Sequence, residues 1–339
     1  KEALIKWLQE PDVRFTQSKY VKDFEQAWSD WLGVKYTVFV NSGASANYIM
    51  ASILKEMTGG GEVIVPPIGW VSDISPIVNL GMTPVFVDVD PGSMAITAEN
   101  IRNAITDKTV GITLVHALGF NGLTDELISL AEENDLVLIE DCCESHGATF
   151  NGHKIGTFGS MSNFSFYFGH HITTVEGGVV CTNDKEVYEL AKMFRSHGMI
   201  REAGDDIADA FSKKYPDLNP LFLFAVPGYN VRNTEFNAVL GLEQIKRLDN
   251  ACVLRANNFQ TWVDNLDSQR FQTDFNIEGN SSFALPLIVK RQDKNLFKRV
   301  CSELEDRKVE YRIGTAGGGN QTELDKQQIK NLCEALNDC

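Results

Sequence analysis

The chain has 339 residues, 43% hydrophobic and 23% charged, which is ample apolar material for a sizeable core and excludes the disordered and fibrous classes. Its formal charge of −15 repels polyphosphate chains, so neither nucleic acid nor an anionic membrane surface is an expected partner, and any phosphate must be held by local groups. No apolar run approaches the roughly 18 residues of a membrane span, and seven cysteines without framework spacing fit reduced thiols in a cytosolic setting.

The amino-terminal KEALIKWLQE reads as a charged helix, not an export signal. Strand-like and helical runs then alternate: YTVFV at 36–40, a helix from about Ser45, EVIV at 62–65, a helix after Trp70, and PVFVDV at 84–89. The rhythm continues through VGITLVHAL at 110–118, a helix near 124–134 and LVLIED at 136–141, whose unbroken apolar character suits a parallel strand buried on both faces. Shorter extended pieces follow, ATFNGHKIGTFG with an Asn151-Gly152 turn, then MSNFSFYF and GGVVCT, predicted as hairpins and further strands of the same sheet. From Asn233 two long helical patterns lead to SSFALPLIVK at 281–290, a helix near 295–306 and VEYRI at 309–313. The pattern predicts a doubly wound α/β domain over 1–249 and a smaller α+β domain over 250–339.

Three places invite chemistry. Asn41-Ser42-Gly43-Ala44-Ser45-Ala46 follows a strand and opens a helix, so free amides there can wrap an anion; a plain capped turn would look the same. Asp141 ends the most apolar strand, where α/β sheets place ligands, and a carboxylate there can hold a pyridine nitrogen protonated or serve as a cap or buried ion pair. The third is Ser165-Phe166-Tyr167-Phe168-Gly169-His170-His171-Ile172-Thr173-Thr174-Val175-Glu176-Gly177-Gly178.

That stretch resembles the sugar aminotransferases of nucleotide-sugar biosynthesis, in which a Ser-Phe strand precedes a lysine, a Thr-Thr turn and a Glu-Gly-Gly strand start. Counting back eight residues from Gly178 puts the family's lysine at His170, with His171 as its rival, and a histidine there resembles the dehydratase branch that acts on GDP-linked 4-keto-6-deoxymannose in the colitose pathway. The resemblance implies a fold-type I, aspartate aminotransferase-like architecture that uses pyridoxal or pyridoxamine 5′-phosphate. It makes Trp70 the residue stacked on the cofactor ring, Asp141 the partner of its nitrogen, and Glu144 the neighbour of its phenolic oxygen, where aminotransferases commonly carry glutamine. Ser165, with Gly43, Ala44 and Ser45, is implied to hold the phosphate. Gly228-Tyr229-Asn230-Val231-Arg232 resembles the motif whose asparagine reaches the phosphate in the neighbouring subunit, so a homodimer with shared active sites is implied. His197 and Arg232 are expected near the substrate, whereas His116, His146 and His153 read as satisfied core or surface residues.

A lysine amine would hold the cofactor covalently and return nitrogen to the product, but an imidazole can do neither and still moves protons near neutral pH. The implied reaction is therefore loss of the C3 hydroxyl from a nucleotide-diphosphate-linked 4-keto-6-deoxyhexose, with glutamate as amino donor and ammonia released. A related histidine-bearing subgroup adds a [2Fe–2S] cluster, but Cys142, Cys143, Cys181 and Cys252 lack the clustered spacing, so no cluster and no metal are expected. An aminotransferase with a noncovalent cofactor and a noncatalytic sugar-nucleotide-binding protein stay open as alternatives. Gln321 runs straight into Thr322 where relatives carry a longer segment, which predicts a spatial break there.

Overall fold

The apolar runs predicted as strands form one seven-stranded sheet in a computed structural model that describes residues 1–314 and 326–338. Its strands are β1 (Tyr36–Val40), β2 (Glu62–Val65), β3 (Thr83–Phe86), β4 (Thr109–Val115), β5 (Val137–Asp141), β6 (Met161–Ser165) and β7 (Gly178–Thr182), in spatial order β1-β7-β6-β5-β4-β2-β3. β6, β5, β4, β2 and β3 pair in parallel, while β7 runs antiparallel to both β1 and β6. The carboxyl ends of β1, β5 and β6 and the amino end of β7 therefore meet on one edge.

Alternate side chains of the central strands point to opposite faces, and each face has its own core. Leu138 and Phe164 pack with Trp28, Phe39 and Phe166 on one side; Ile139 and Met161 pack with Ile49, Met50 and Ile53 on the other. Full burial of each such side chain contributes roughly 1.5–3 kcal/mol.

The helices that matter here are α1 (Glu2–Leu8), α2 (Lys19–Leu32), α3 (Gly43–Thr58), α4 (Asp125–Glu133), α5 (Lys185–Arg195), α6 (Glu235–Gln244), α7 (Leu248–Asn265), α8 (Lys294–Asp306) and α9 (Lys326–Asp338). The Ser42 hydroxyl caps α3 by accepting the Ser45 amide at 3.1 Å, and Gly59, at φ +79°, ends it in the left-handed conformation that glycine tolerates best.

The expected domain boundary near 250 falls in the first turn of α7. Leu248 and Cys252 belong to the core of the large sheet, whereas Phe259 and Trp262 belong to a third core shared with Leu296, Val300, Ile329 and Leu332 of α8 and α9. One rigid helix thus serves both.

The Asn151-Gly152 turn appears as expected, both residues at positive φ, but it closes a separate two-stranded hairpin, Thr149–Phe150 with His153–Lys154, and adds nothing to the main sheet. The strands expected at 281–290 and 309–313 are a second correction. Residues 270–272 and 288–290 share two backbone hydrogen bonds around the Phe271↔Val289 bridge, too few to make a ladder, and 309–313 is irregular. An extended run becomes a strand only where a neighbour completes its backbone bonds. The break expected between Gln321 and Thr322 lies outside the described residues. Among the described residues no helix is long and apolar enough to cross a membrane.

Candidate active site

The β1–α3 turn, the end of β6 and the start of β7 are pressed together with no room for extra atoms. A Cβ on Gly178 would sit 2.5 Å from the Ser42 carbonyl and 2.6 Å from the Gly43 amide, and a Cβ on Gly43 would meet Ser165 Cβ at 2.7 Å. These two glycines let the first amides of α3, unpaired within the helix, lie beside the Ser165 hydroxyl. Ser45 is less free than expected, because its hydroxyl bonds Asn41 Oδ1 at 2.6 Å and its amide is taken by Ser42. Gly178→Ala should lower stability by about 1–3 kcal/mol and weaken phosphate binding, read by thermal melts with and without pyridoxamine phosphate.

Asp141, at the end of β5, is buried and surrounded by donors. Its Oδ2 accepts from Asn47 Nδ2 of α3 at 2.9 Å and from Asn163 Nδ2 of β6 at 3.2 Å, and its Oδ1 accepts the Cys143 amide at 2.9 Å. Strand register places Asn163 directly opposite Asp141. Burial pushes the Asp141 carboxyl up, but hydrogen bonds from Asp73, the Cys143 amide and Asn47 outweigh it and hold the group below its usual range. Glu144, three residues on, accepts the Leu118 amide at 2.8 Å, and burial, aided by the Asp141 charge and opposed by that bond, raises it to about 7.

The two adjacent histidines each have a buried Nδ1 without a partner among the described residues and differ in what holds the rest of the ring. His171 is buried, its Nε2 within 3.1 Å of the Ser281 carbonyl, which fixes its ring in the protein interior. His170 lies in the turn between β6 and β7, its ring 5.2 Å from that of Phe283, and its Nδ1 is buried with no hydrogen-bond partner among the described residues. Burial lowers its pKa to about 4; Asp141 pulls the other way and Arg255 adds a little to the lowering. Arg255 itself, buried on α7, donates to the Phe283 carbonyl at 3.0 Å and so fixes the loop that backs His170.

The remaining histidines largely follow expectation. His116 accepts the Gly122 amide at Nδ1 and faces Glu140 at 3.3 Å through Nε2, while Glu140 also takes the amides of Gly156, Phe158 and Gly159. His153 is an exposed hairpin residue. His146 departs from the satisfied core reading: its ring stacks 5.0 Å from His171, but neither of its nitrogens has a partner among the described residues.

Trp70 is 58% exposed on the rim, so its indole is open to a second ring, and its amide is held by Asp73 Oδ2 at 3.0 Å. Asn230 and His197 are both exposed and lie together, because Ser196 bridges Asn230. Arg232, paired with Val40 at the end of β1, lines a cavity of about 800 Å³ with Arg14, Lys22 and Arg201, a cationic spot in an acidic chain. Asn47, Asp73, Asn163 and Arg255 were not anticipated. The WVSD spacing, in which an acid three residues on caps the Trp70 amide, was the available signal for Asp73.

A helix start beside a serine hydroxyl, an exposed indole, a buried carboxylate and an imidazole with an unpartnered nitrogen fit a phosphorylated pyridine ring. Known proteins agree. Residues 3–322 match the DegT/DnrJ/EryC1/StrS aminotransferase family. GDP-4-keto-6-deoxy-D-mannose 3-dehydratase of Escherichia coli O55:H7 is 34% identical over 304 residues, 88% of this chain and 78% of that protein. A solved E. coli GDP-4-keto-6-deoxy-D-mannose-3-dehydratase with bound hydrated PLP superimposes with a TM-score of 0.87 at 30% identity, covering 99% of this chain and 95% of that one. A solved GDP-4-keto-6-deoxymannose-3-dehydratase with a trapped PLP-glutamate geminal diamine gives 0.84 at 29% identity, covering 99% and 96%. The chain belongs to the DegT/DnrJ/EryC1/StrS aminotransferase family.

Proposed function

We propose that this chain is a pyridoxal-phosphate-dependent 3-dehydratase that removes the C3 hydroxyl of a nucleotide-linked 4-keto-6-deoxyhexose, GDP-4-keto-6-deoxymannose being the favoured substrate. Glutamate is the amino donor and ammonia the by-product. The observation that carries the reading is the imidazole of His170, half-buried in the turn between β6 and β7, in a stretch from Ile155 to Asp184 that contains no lysine.

The Gly43 and Ala44 amides and the Ser165 hydroxyl would hold the phosphate, Trp70 would cover the ring, and Asp141 would keep the ring nitrogen protonated. Bound there, the cofactor supplies an amine for the sugar ketone and a ring that accepts electrons from a broken C–H bond. His170 is neutral at physiological pH because burial holds it down at about 4, so it is ready to take a proton from carbon. The same burial makes its imidazolium a stronger acid than a free one, suited to protonating the departing C3 oxygen as water. With Nδ1 sealed in the protein, Nε2 is left to exchange that proton. Glu144, raised to about 7, can donate or accept a hydrogen bond at neutral pH. The balance closes: sugar and glutamate give the 3-deoxy ketosugar, 2-oxoglutarate and ammonia, the two electrons coming from glutamate.

Arg232 and its cationic neighbours suit the diphosphate of the sugar nucleotide. Arg232→Ala should raise the KM for the sugar nucleotide about tenfold while leaving kcat within about threefold, in steady-state assays. A homodimer, in which Asn230 reaches the phosphate held by the second copy, is supported by the exposure of Asn230 and of Tyr167, Phe168 and Val175 around the His170 turn. With that substrate, the role we infer is in colitose assembly in the cytosol.

The test is incubation with pyridoxal phosphate, glutamate and GDP-4-keto-6-deoxymannose, following ammonia and the mass of the sugar. Ammonia equal to the sugar consumed and a product lighter by one oxygen are expected. An amino sugar without ammonia identifies an aminotransferase, and cofactor binding without turnover across a panel of sugar nucleotides identifies a binding protein.

A further inference from the structure

Asp73 has no role in the chemistry above, yet it is buried within the same hydrogen-bond network as Asp141. One amide nitrogen, Asn47 Nδ2, donates to Asp73 Oδ1 at 3.0 Å and to Asp141 Oδ2 at 2.9 Å, and so joins two carboxyls that come from different elements. The other Asp73 oxygen accepts the Trp70 amide at 3.0 Å. The ring-covering residue and the ring-nitrogen residue are thereby tied through one side chain. The titratable groups facing Asp73 are Asp141, Glu144 and the Cys143 thiol, with no cation among them in the described residues.

Two carboxylates in one buried site without a cation cannot both be ionised. Among the described residues Asp141 accepts from Asn47, Asn163 and the Cys143 amide, and Asp73 from Asn47 and the Trp70 amide, with Ser72 Oγ only near Asn47 at 3.4 Å. The negative charge belongs on the better-served group. We propose that Asp73 is a positioning residue that stays protonated, gives its hydrogen to Asp141, and holds Asn47 and the Trp70 backbone so that a single charge and an indole face the cofactor ring together. Burial first, then the Asp141 charge, push the Asp73 carboxyl well above its usual range, which agrees with that assignment. The proposal rests on the reading that Asp141 receives the ring nitrogen.

The amide in Asp73→Asn offers the same donor and acceptor without charge, so the dissociation constant for pyridoxamine phosphate, measured by equilibrium dialysis, should stay within about threefold of wild type. Asp73→Ala should weaken it about tenfold or more, and Asp73→Ser, which can still cap the Trp70 amide but cannot reach Asn47, carries the same expectation should the alanine variant not fold. A merely structural residue would lower the melting temperature of the cofactor-free protein without separating asparagine from alanine or serine in affinity. Wild-type affinity in the alanine or serine variant overturns the proposal, as does an asparagine variant that binds as weakly as they do. Asp141→Ala is the control: weak binding there beside intact binding in Asp73→Ala condemns the proposal alone, whereas intact binding in Asp141→Ala overturns the site reading and the proposal with it.

Discussion

Replacing His170 by asparagine should cut dehydration roughly a thousandfold while leaving the affinity for pyridoxamine phosphate within about threefold, because a positioned acid–base group contributes about 10²–10⁴ and asparagine keeps the shape without the proton transfer. Ammonia release with glutamate and the sugar nucleotide reads the first effect, and equilibrium dialysis the second. His170→Lys sharpens the point. An amine in the same turn should capture pyridoxal phosphate covalently, so that borohydride reduction adds the cofactor's mass to the chain, while His171→Lys, whose side chain points toward the Ser281 carbonyl, should not. Trapping at 171 and not at 170 would reverse the assignment of the two histidines.

Asp141→Ala should carry the second large effect, weakening cofactor binding by about 10²–10³. Removing one partner from a buried charge pair costs about 3–5 kcal/mol, and a ring nitrogen held by Asp141 would lose its counter-charge. The cofactor-free protein suffers as well, since the Asn47 and Asn163 amides lose their common acceptor. Each stranded buried donor costs about 1–3 kcal/mol. Dialysis with pyridoxamine phosphate and denaturant melts separate the two losses. Asp141→Asn should recover much of the stability, because one of its atoms still accepts, but not the affinity.

Much of this was legible in the residues themselves. Unbroken apolar runs such as LVLIED marked buried parallel strands, and GGVVCT was legible as a strand start, whereas the close approach of Gly178 to the Ser42 carbonyl shows only in the structure. The network around Asp141 was hidden for a physical reason. Its members are 94, 26 and 22 residues apart along the chain, and only strand register and the α3 crossing bring them together. The neighbouring acids Glu140 and Asp141 show the same limit. Successive side chains on a strand point to opposite faces, so one carboxylate is spent on the Gly156–Gly159 turn and the other faces Asn47 on α3, a division that the letters ED do not display. His146 could not be told from a satisfied core histidine, because the absence of partners is a property of its surroundings.

Helix α7 has one more consequence. Its first turns are embedded in the sheet's core, its last turns in the carboxyl-terminal one, and midway along it Arg255 grips the loop behind His170. A rod anchored at both ends transmits tilt, so any rocking of the carboxyl-terminal helices would arrive at the imidazole as a shift of the Phe283 ring. The two cores should accordingly melt as one cooperative unit, with His170 seated near the fulcrum.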